Sequence, residues 1–554
     1  MGTGKLILVL AAMAGLLAAL SRGLPAHGFF VGDCGVKVTM MFVALERPTT
    51  PLEVPPPRIG DRAAPEFYGR FYRAHDDHAH ALTSELFPIL SAPFVALLGL
   101  RGAYVWPALG FLILLPLVHR LACVLEGRTI AALTIFILVC CSPVLFYALE
   151  VWEHVPAVTL TAAATLLLLT GEARPSRVMG AGALLGAAFL FRPEAIWYGF
   201  ALLIVHPRRS LSFASRLAIG GAFALAPMVV FNIVHYPALV SPHISANAAL
   251  VSREWLKLRL AVPEAWLFGV RAPMARIGLA LALAGAGLAW LARSRPRAFE
   301  WLRWVALVGI ALSAVAASQQ GFLRDSLWAV FPCALLALVP ISNCRSEWVA
   351  ALRRVIIVFT LLVALTTPNL GGGQYGPRYL LPMCVPLAIL AALAVRDLMM
   401  RTVAARVLAG CLLIPTMLGS LAVQRNSYRG ELRVTKRIHA RIVDRLRMEA
   451  RDTHYILSDL WWLDQLAASE YRARTFLLAD DLAEAREAMR RLEEAGAPPV
   501  LIVRSGAESR REATTDWLEG TCYVVERTAL LSDRALQFSE AVCRTPEEGE
   551  ISCQ

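Results

Sequence analysis

Apolar windows of roughly 20 residues, the length a helix needs to cross a bilayer, recur from Lys5 to Val423 with short basic breaks between them. Composition agrees: 57% of the residues are hydrophobic and 17% charged, so the chain must hide most of its surface in lipid. The expected fold class is an α-helical polytopic membrane protein with about thirteen transmembrane helices and a small C-terminal α/β extracytoplasmic domain.

The expected spans are 5–24, 103–122, 129–147, 155–171, 178–191, 193–206, 213–235, 275–293, 302–318, 325–342, 354–367, 379–396 and 405–423. The stretch from Val178 to His206 is read as two short helices meeting at Pro193 rather than as one long one. Loop arginines decide this, because short cytoplasmic loops carry the Lys/Arg excess. With two helices, Arg174 and Arg177, Arg208 and Arg209, Arg293, Arg295 and Arg297, Arg345, Arg353 and Arg354, and Arg396, Arg401 and Arg406 all fall inside. That places the N-terminus inside and the C-terminus outside. Leu86 to Leu100 is nearly long enough to span but is broken by prolines, and reads as an interfacial or re-entrant helix on the outer face. The run from Lys5 to Leu20 also resembles a secretory signal. No small-x-small cleavage site follows it closely, which favours an uncleaved anchor.

The expected domains are 1–423, a transmembrane domain whose first external loop is 25–102, and 424–554, an extracytoplasmic unit of ordinary soluble composition. Within the tail, THYILSDL, RTFLLAD, PPVLIVRS and TCYVVERT read as strands and Leu482 to Ala495 as a helix, which predicts a mostly parallel sheet. The net charge of +12 belongs to the membrane half, since 20 basic and 23 acidic residues follow Gln424. No nucleic-acid fold, phosphate loop or zinc spacing accompanies it, so nucleic acid is not an expected partner. The 11 cysteines have no metal-site spacing, but two of Cys522, Cys543 and Cys553 would pair in an oxidising compartment.

Once the spans are counted, Asp33, Glu150, Glu153, Arg192 and Arg378 all reach the outer face, which reads as a polar chamber at the membrane surface. Each has a structural alternative. Asp33 would pair with Lys37 one helical turn on, Arg192 with Glu194, and Arg378 would snorkel to the interface. Glu150, Glu153 and His154 stand at helical spacings of three and four, as an acceptor-orienting face or as a solvated helix end. His75, Asp76, Asp77, His78 and His80 have metal-binding side chains, but a polar cluster in a loop is more often solvent-facing, and no metal site is assigned. The segment 237–275 is long enough to act as a lid over the chamber.

Three segments together resemble the GT-C integral-membrane glycosyltransferases, which take sugars from polyprenyl-phosphate carriers and include protein mannosyltransferases and aminoarabinose transferases. GDCGVK is similar to the acidic motif opening that superfamily's first external loop, and FYALEVWEHVPAV to its second acidic position. FLFRPEA and GGGQYGPRYLLPMCVPL are similar to its arginine-bearing segments. Many members carry two adjacent acids in the first motif, whereas Asp33 is followed here by Cys34. That departure weakens the case for a divalent metal, the one cofactor the family would bring.

The resemblance implies an inverting hexosyl- or pentosyltransferase that moves a sugar from a polyprenyl-phosphate donor in the bilayer to an extracytoplasmic glycan, lipid or protein acceptor. Such a donor already has a good leaving group, so the chemistry needs one base and a phosphate clamp rather than the two carboxylates of a glycosidase. Asp33 would be the base, with Glu150 and Glu153 assisting. Lys37, His154, Arg192, Tyr375, Arg378 and Tyr379 would bind substrate, the arginines as forked donors to phosphate. The absence of glycosylation sequons and the short basic loops point to a bacterial inner membrane with a periplasmic site. The rival classes are a lipid or sugar transporter, which would place its charges near the midplane between related halves, and an inactive scaffold.

Overall fold

The computed structural model describes residues 3–75, 78–169, 174–207, 210–235, 243–245, 248, 255–269, 272–319, 326–341, 347–371, 375–505, 514–531 and 536–543. Two units result: Met1–Gly23 with Tyr104–Arg433, and Leu24–Ala103 with Val434–Gln554.

The first unit is helical. Thr3–Arg22, Val105–Glu126, Arg128–Cys141, His154–Leu169, Pro175–Phe191, Ala195–Val205, Leu211–His235, Pro273–Leu291, Pro296–Ser318, Glu347–Thr366, Cys384–Met399 and Val403–Asn426 answer twelve of the expected spans. Among the described residues of the whole chain, seven helices are long and apolar enough to cross a membrane, and further apolar helices are shorter. Small residues let the backbones approach, as membrane helices require when lipid offers no hydrophobic drive. A Cβ at Gly278, for example, would stand 2.7 Å from the carbonyl oxygen of Gly309.

One expected span is absent as a helix. Residues 325–342 were to cross as one element, but a four-residue helix, Leu327–Val330, gives way to a 3-10 segment, Pro332–Leu338. Pro332 has no N–H to continue an α-helix. The broken backbone is buried in protein, where Cys333 N donates to Ser420 Oγ at 3.1 Å. The junction at FRPE has the two-helix form expected, Pro175–Phe191 and Ala195–Val205.

The second unit joins a helix, Gly32–Glu46, and a set of short strands to the C-terminal sheet. Strands β1 (Glu53–Val54), β2 (Arg58–Ile59), β3 (Arg62–Ala63), β4 (Tyr72–His75) and β5 (His78–Ala81) form antiparallel ladders in the orders β1-β5-β4 and β2-β3. The larger sheet has the order β7-β6-β8-β10-β9, built from β6 (Tyr455–Ser458), β7 (Thr475–Leu478), β8 (Val500–Ser505), β9 (Tyr523–Leu531) and β10 (Leu536–Cys543). The mostly parallel sheet expected is therefore mixed: β7-β6-β8 is parallel, but β10 is antiparallel to both β8 and β9. LQFSEAVC, which alternates only weakly, supplies β10, a strand beyond those expected. Ile59, Ala64 and Phe67 from the N-terminal part share one core with Leu457, Leu477, Met489 and Trp517. Cys522 pairs with Cys543, two of the three expected candidates; Cys553 lies outside the described residues.

Leu86–Leu98 is a helix of the second unit despite Pro93. Of the segment expected as a lid, Trp255–Pro263 and the π-turn Glu264–Phe268 are described, and much of the rest falls outside the described residues.

Candidate functional site

In the first unit, chain segments far apart in sequence bring Glu153, Arg192, Arg378 and Tyr379 together. Arg192 follows the last residue of its helix. Pro193 disfavours the α conformation at the residue before it, and Arg192 is accordingly extended, at φ −144 and ψ 111. That aims the guanidinium at two acids: Nη1 donates to Glu153 Oε1 at 2.9 Å and Nε to Glu194 Oε1 at 2.8 Å. All three are buried, Glu153 at 1% exposure and Arg192 at 8%. The Glu194 pairing expected as the structural alternative is present, and Glu153 joins it.

Glu150, Glu153 and His154 do not share a helical face. The helix Val144–Ala148 ends before Glu150, Trp152 N donates to Glu150 O at 2.8 Å, and the next helix begins at His154. The three-and-four spacing instead folds as a turn, which delivers Glu153 to Arg192. Glu150 is fully buried, and the His154 ring centroid is 4.9 Å from that of Tyr147.

Arg378 opens a 3-10 turn, Arg378–Met383, set by the residues before it. Gly376 takes φ +69, a conformation glycine adopts without strain, and a Cβ there would meet Val330 Cγ2 at 2.7 Å. Arg378 is half-buried, its Cζ 5.0 Å from the Tyr379 ring centroid and its Nη2 donating to the Tyr379 hydroxyl at 3.3 Å. Arg192 Cζ lies 5.6 Å from the same centroid. Two cations thus share one electron-rich ring. The Tyr379 hydroxyl donates to Asn369 Oδ1 at 3.0 Å, which also accepts Gly371 N at 2.8 Å.

Tyr375 is a support rather than an open surface. Its carbonyl accepts the Tyr147 hydroxyl at 2.8 Å and its own hydroxyl donates to Gln424 Oε1 at 3.3 Å. Phe146 stacks on its ring with centroids 4.4 Å apart, and Trp152 in turn packs against Phe146 and Tyr147. These aromatics, with Asn369 and Gln424, were not singled out in the sequence, where they read as ordinary apolar and loop positions.

Asp33 and Lys37 belong to the second unit. Asp33 sits in the first turn of Gly32–Glu46, where the helix dipole favours a carboxylate. Lys37, 1% exposed, places Nζ 2.6 Å from Asp33 Oδ2, the pairing expected as the alternative to catalysis. Gly35 brings this helix end onto Leu463–Leu466: a Cβ there would collide with the Gln465 carbonyl. Of the histidine-rich loop, His78 Nε2 and His80 Nε2 are 3.2 Å apart, while Asp76 and Asp77 lie outside the described residues. Among the described residues no group of three or more His, Cys, Asp or Glu side chains is arranged to hold a metal ion.

The chain as a whole is similar in fold to solved structures. ArnT from Cupriavidus metallidurans in the apo state matches with 98% of each chain covered, a TM-score of 0.53 and 12% identity. The same protein bound to undecaprenyl phosphate matches over 98% of each chain at a TM-score of 0.52 and 13% identity. The archaeal oligosaccharyltransferase AglB from Archaeoglobus fulgidus, in complex with an inhibitory peptide and a dolichol-phosphate, covers 90% of this chain and 70% of its own at a TM-score of 0.48 and 12% identity. No protein-family model and no curated protein matches the chain. The ArnT likeness is one of fold, and the polytopic architecture with its C-terminal sheet is the one the GT-C resemblance implies.

Proposed function

We propose that the protein is an inverting glycosyltransferase that takes a sugar from a polyprenyl-phosphate donor and transfers it to an extracytoplasmic acceptor. The observation that carries this reading is the placing of a buried and a half-buried guanidinium on one ring, within a fold like that of a protein solved with undecaprenyl phosphate.

The two arginines take different parts. Arg192 is buried and already answered by two carboxylates, so it is the positioning residue that fixes Glu153 and the Tyr379 ring. Arg378 is half-buried, and its fork holds the donor phosphate and absorbs charge as that group leaves. His154, Tyr375 and Tyr379 shape the surroundings, and Glu153, buried against Arg192, orients that arginine. Asp33 is assigned as base: its carboxylate takes the acceptor's hydroxyl proton, the acceptor oxygen bonds to the anomeric carbon, and the carbon–oxygen bond to phosphate breaks on the opposite side, releasing the polyprenyl phosphate. Lys37 holds that carboxylate in place. A bacterial inner membrane with a periplasmic reaction is the setting that fits the loop charges.

The test is transfer of label from radiolabelled undecaprenyl-phosphate sugars in reconstituted vesicles. Arg378→Ala should lower transfer by about 100-fold or more, the usual cost of removing a donor to developing charge, and weaken retention of undecaprenyl phosphate. Unchanged retention and transfer would remove the phosphate assignment.

A further inference from the structure

The second unit contains a cavity of about 500 Å³ that the proposed reaction does not use. One wall comes from the segment between Val54 and Tyr72, the other from β6, β7 and the turn at Asp464. Its surfaces are of two kinds. Tyr68, Tyr72, Tyr455 and Tyr471 supply aromatic faces, with the rings of Tyr68 and Tyr72 6.1 Å apart. Asp464 and Arg474 supply polar groups whose bonding capacity is incompletely used. Asp464 Oδ1 is buried and makes no hydrogen bond among the described residues, and neither does Arg474 Nε, although the same guanidinium donates to the Thr453 carbonyl.

Such groups are costly to leave unmade in a folded interior. Here the backbone is shaped to keep one of them in place. Gly69 stands so close to Asp464 that a Cβ there would lie 2.3 Å from its Oδ2, and any larger residue would displace the carboxyl. Burial pushes the Asp464 carboxyl up to about 7, against the pull of the backbone N–H groups at 464 and 465.

We propose that this cavity binds a saccharide unit of the acceptor, with tyrosine faces against the sugar ring and Asp464 and Arg474 taking its hydroxyls. A pyranose offers what the walls ask for: apolar C–H faces for the rings, and hydroxyls that donate to a carboxylate and accept from a guanidinium. A lipid chain would leave Asp464 Oδ1 and Arg474 Nε unanswered. The inference rests on the glycosyl-transfer reading only in calling the saccharide an acceptor; the binding itself is independent of it.

The experiment uses the full chain in lipid nanodiscs free of glycoside detergents. Saturation-transfer NMR would be recorded with methyl α-glucoside, methyl α-mannoside, methyl β-galactoside and methyl β-N-acetylglucosaminide. At least one should bind at millimolar concentration, and Asp464→Leu and Arg474→Met, chosen to keep side-chain volume, should each weaken it about tenfold. Arg378→Ala should leave glycoside binding unchanged, so a failure of donor chemistry reads out separately from a failure of this site. No binding of any of the four up to about 10 mM overturns the proposal. So does binding that survives both cavity variants, or a tetra-alanine peptide that competes with the same variant dependence.

Discussion

Arg192 Nη1 stands 2.9 Å from Glu153 Oε1, joining the turn before one membrane helix to the residue that ends another 39 positions away. Because both groups are buried, breaking the pair leaves an uncompensated charge rather than merely removing a contact. Arg192→Ala should therefore destabilise the first unit by about 3–5 kcal/mol, whereas Arg192→Lys, which keeps the charge but not the fork, should cost less. Thermal unfolding in nanodiscs checks the order wild type, Lys, Ala. A neutral Arg192→Ala variant would show that the network does not hold these helices together.

The apolar spans were legible because lipid imposes one periodic requirement on every crossing, and twelve of the expected windows are helices. The exception, 325–342, was lost because hydropathy counts side chains and not the missing N–H of Pro332. Arg192, Arg378 and Glu153 were legible because a charge in an apolar chain stands out, but their partners were only half so. Glu194 was visible as a near neighbour, while Glu153 reaches Arg192 through a turn that imitates helical spacing in one dimension. Asn369, Tyr147 and Gln424 were invisible, since an amide or phenol in a polytopic chain gives no sign of what it will face. The strand Leu536–Cys543 escaped because its pairing partners, not its own alternation, make it a strand.

Gly35 is the position where the Asp33 helix is most sensitive to volume. Gly35→Ala forces a methyl group into the Gln465 carbonyl, and the helix end must shift. The expected cost is about 1–3 kcal/mol to the second unit, with lost transfer activity as Asp33 moves. Limited proteolysis of the second unit and a transfer assay read the two effects, and wild-type behaviour in both would contradict this packing.

The disulfide closes a separation of 21 residues between Cys522 and Cys543. Loop-closure entropy puts its contribution at about 3 kcal/mol. The double variant Cys522→Ser/Cys543→Ser should lower the unfolding midpoint of the second unit in denaturant, and reduction of the wild-type protein should do the same.

Asp464 gives the second unit a pH dependence of unusual sign. Its folded value of about 7 lies above the ordinary aspartate value of 3.8, because burial disfavours the charged form. The folded state therefore holds this proton more tightly than the unfolded state. The stabilisation is fully present below about pH 4, declines as pH rises and is gone above about pH 7, a change of as much as about 4 kcal/mol. Asp464→Asn should raise the melting temperature of the second unit at pH 8 and flatten its dependence between pH 5 and pH 8. An unchanged slope would mean that Asp464 titrates as an ordinary carboxyl.

The most direct test of the account is Asp33→Asn, which keeps the shape of the side chain and removes the base. Reconstituted wild type and variant would be given the same labelled undecaprenyl-phosphate sugar and acceptor, with donor binding measured in parallel. The account predicts that the variant binds undecaprenyl phosphate as wild type does but transfers sugar about 100- to 10,000-fold more slowly. Transfer at the wild-type rate would contradict it, leaving Asp33 as no more than the partner of Lys37.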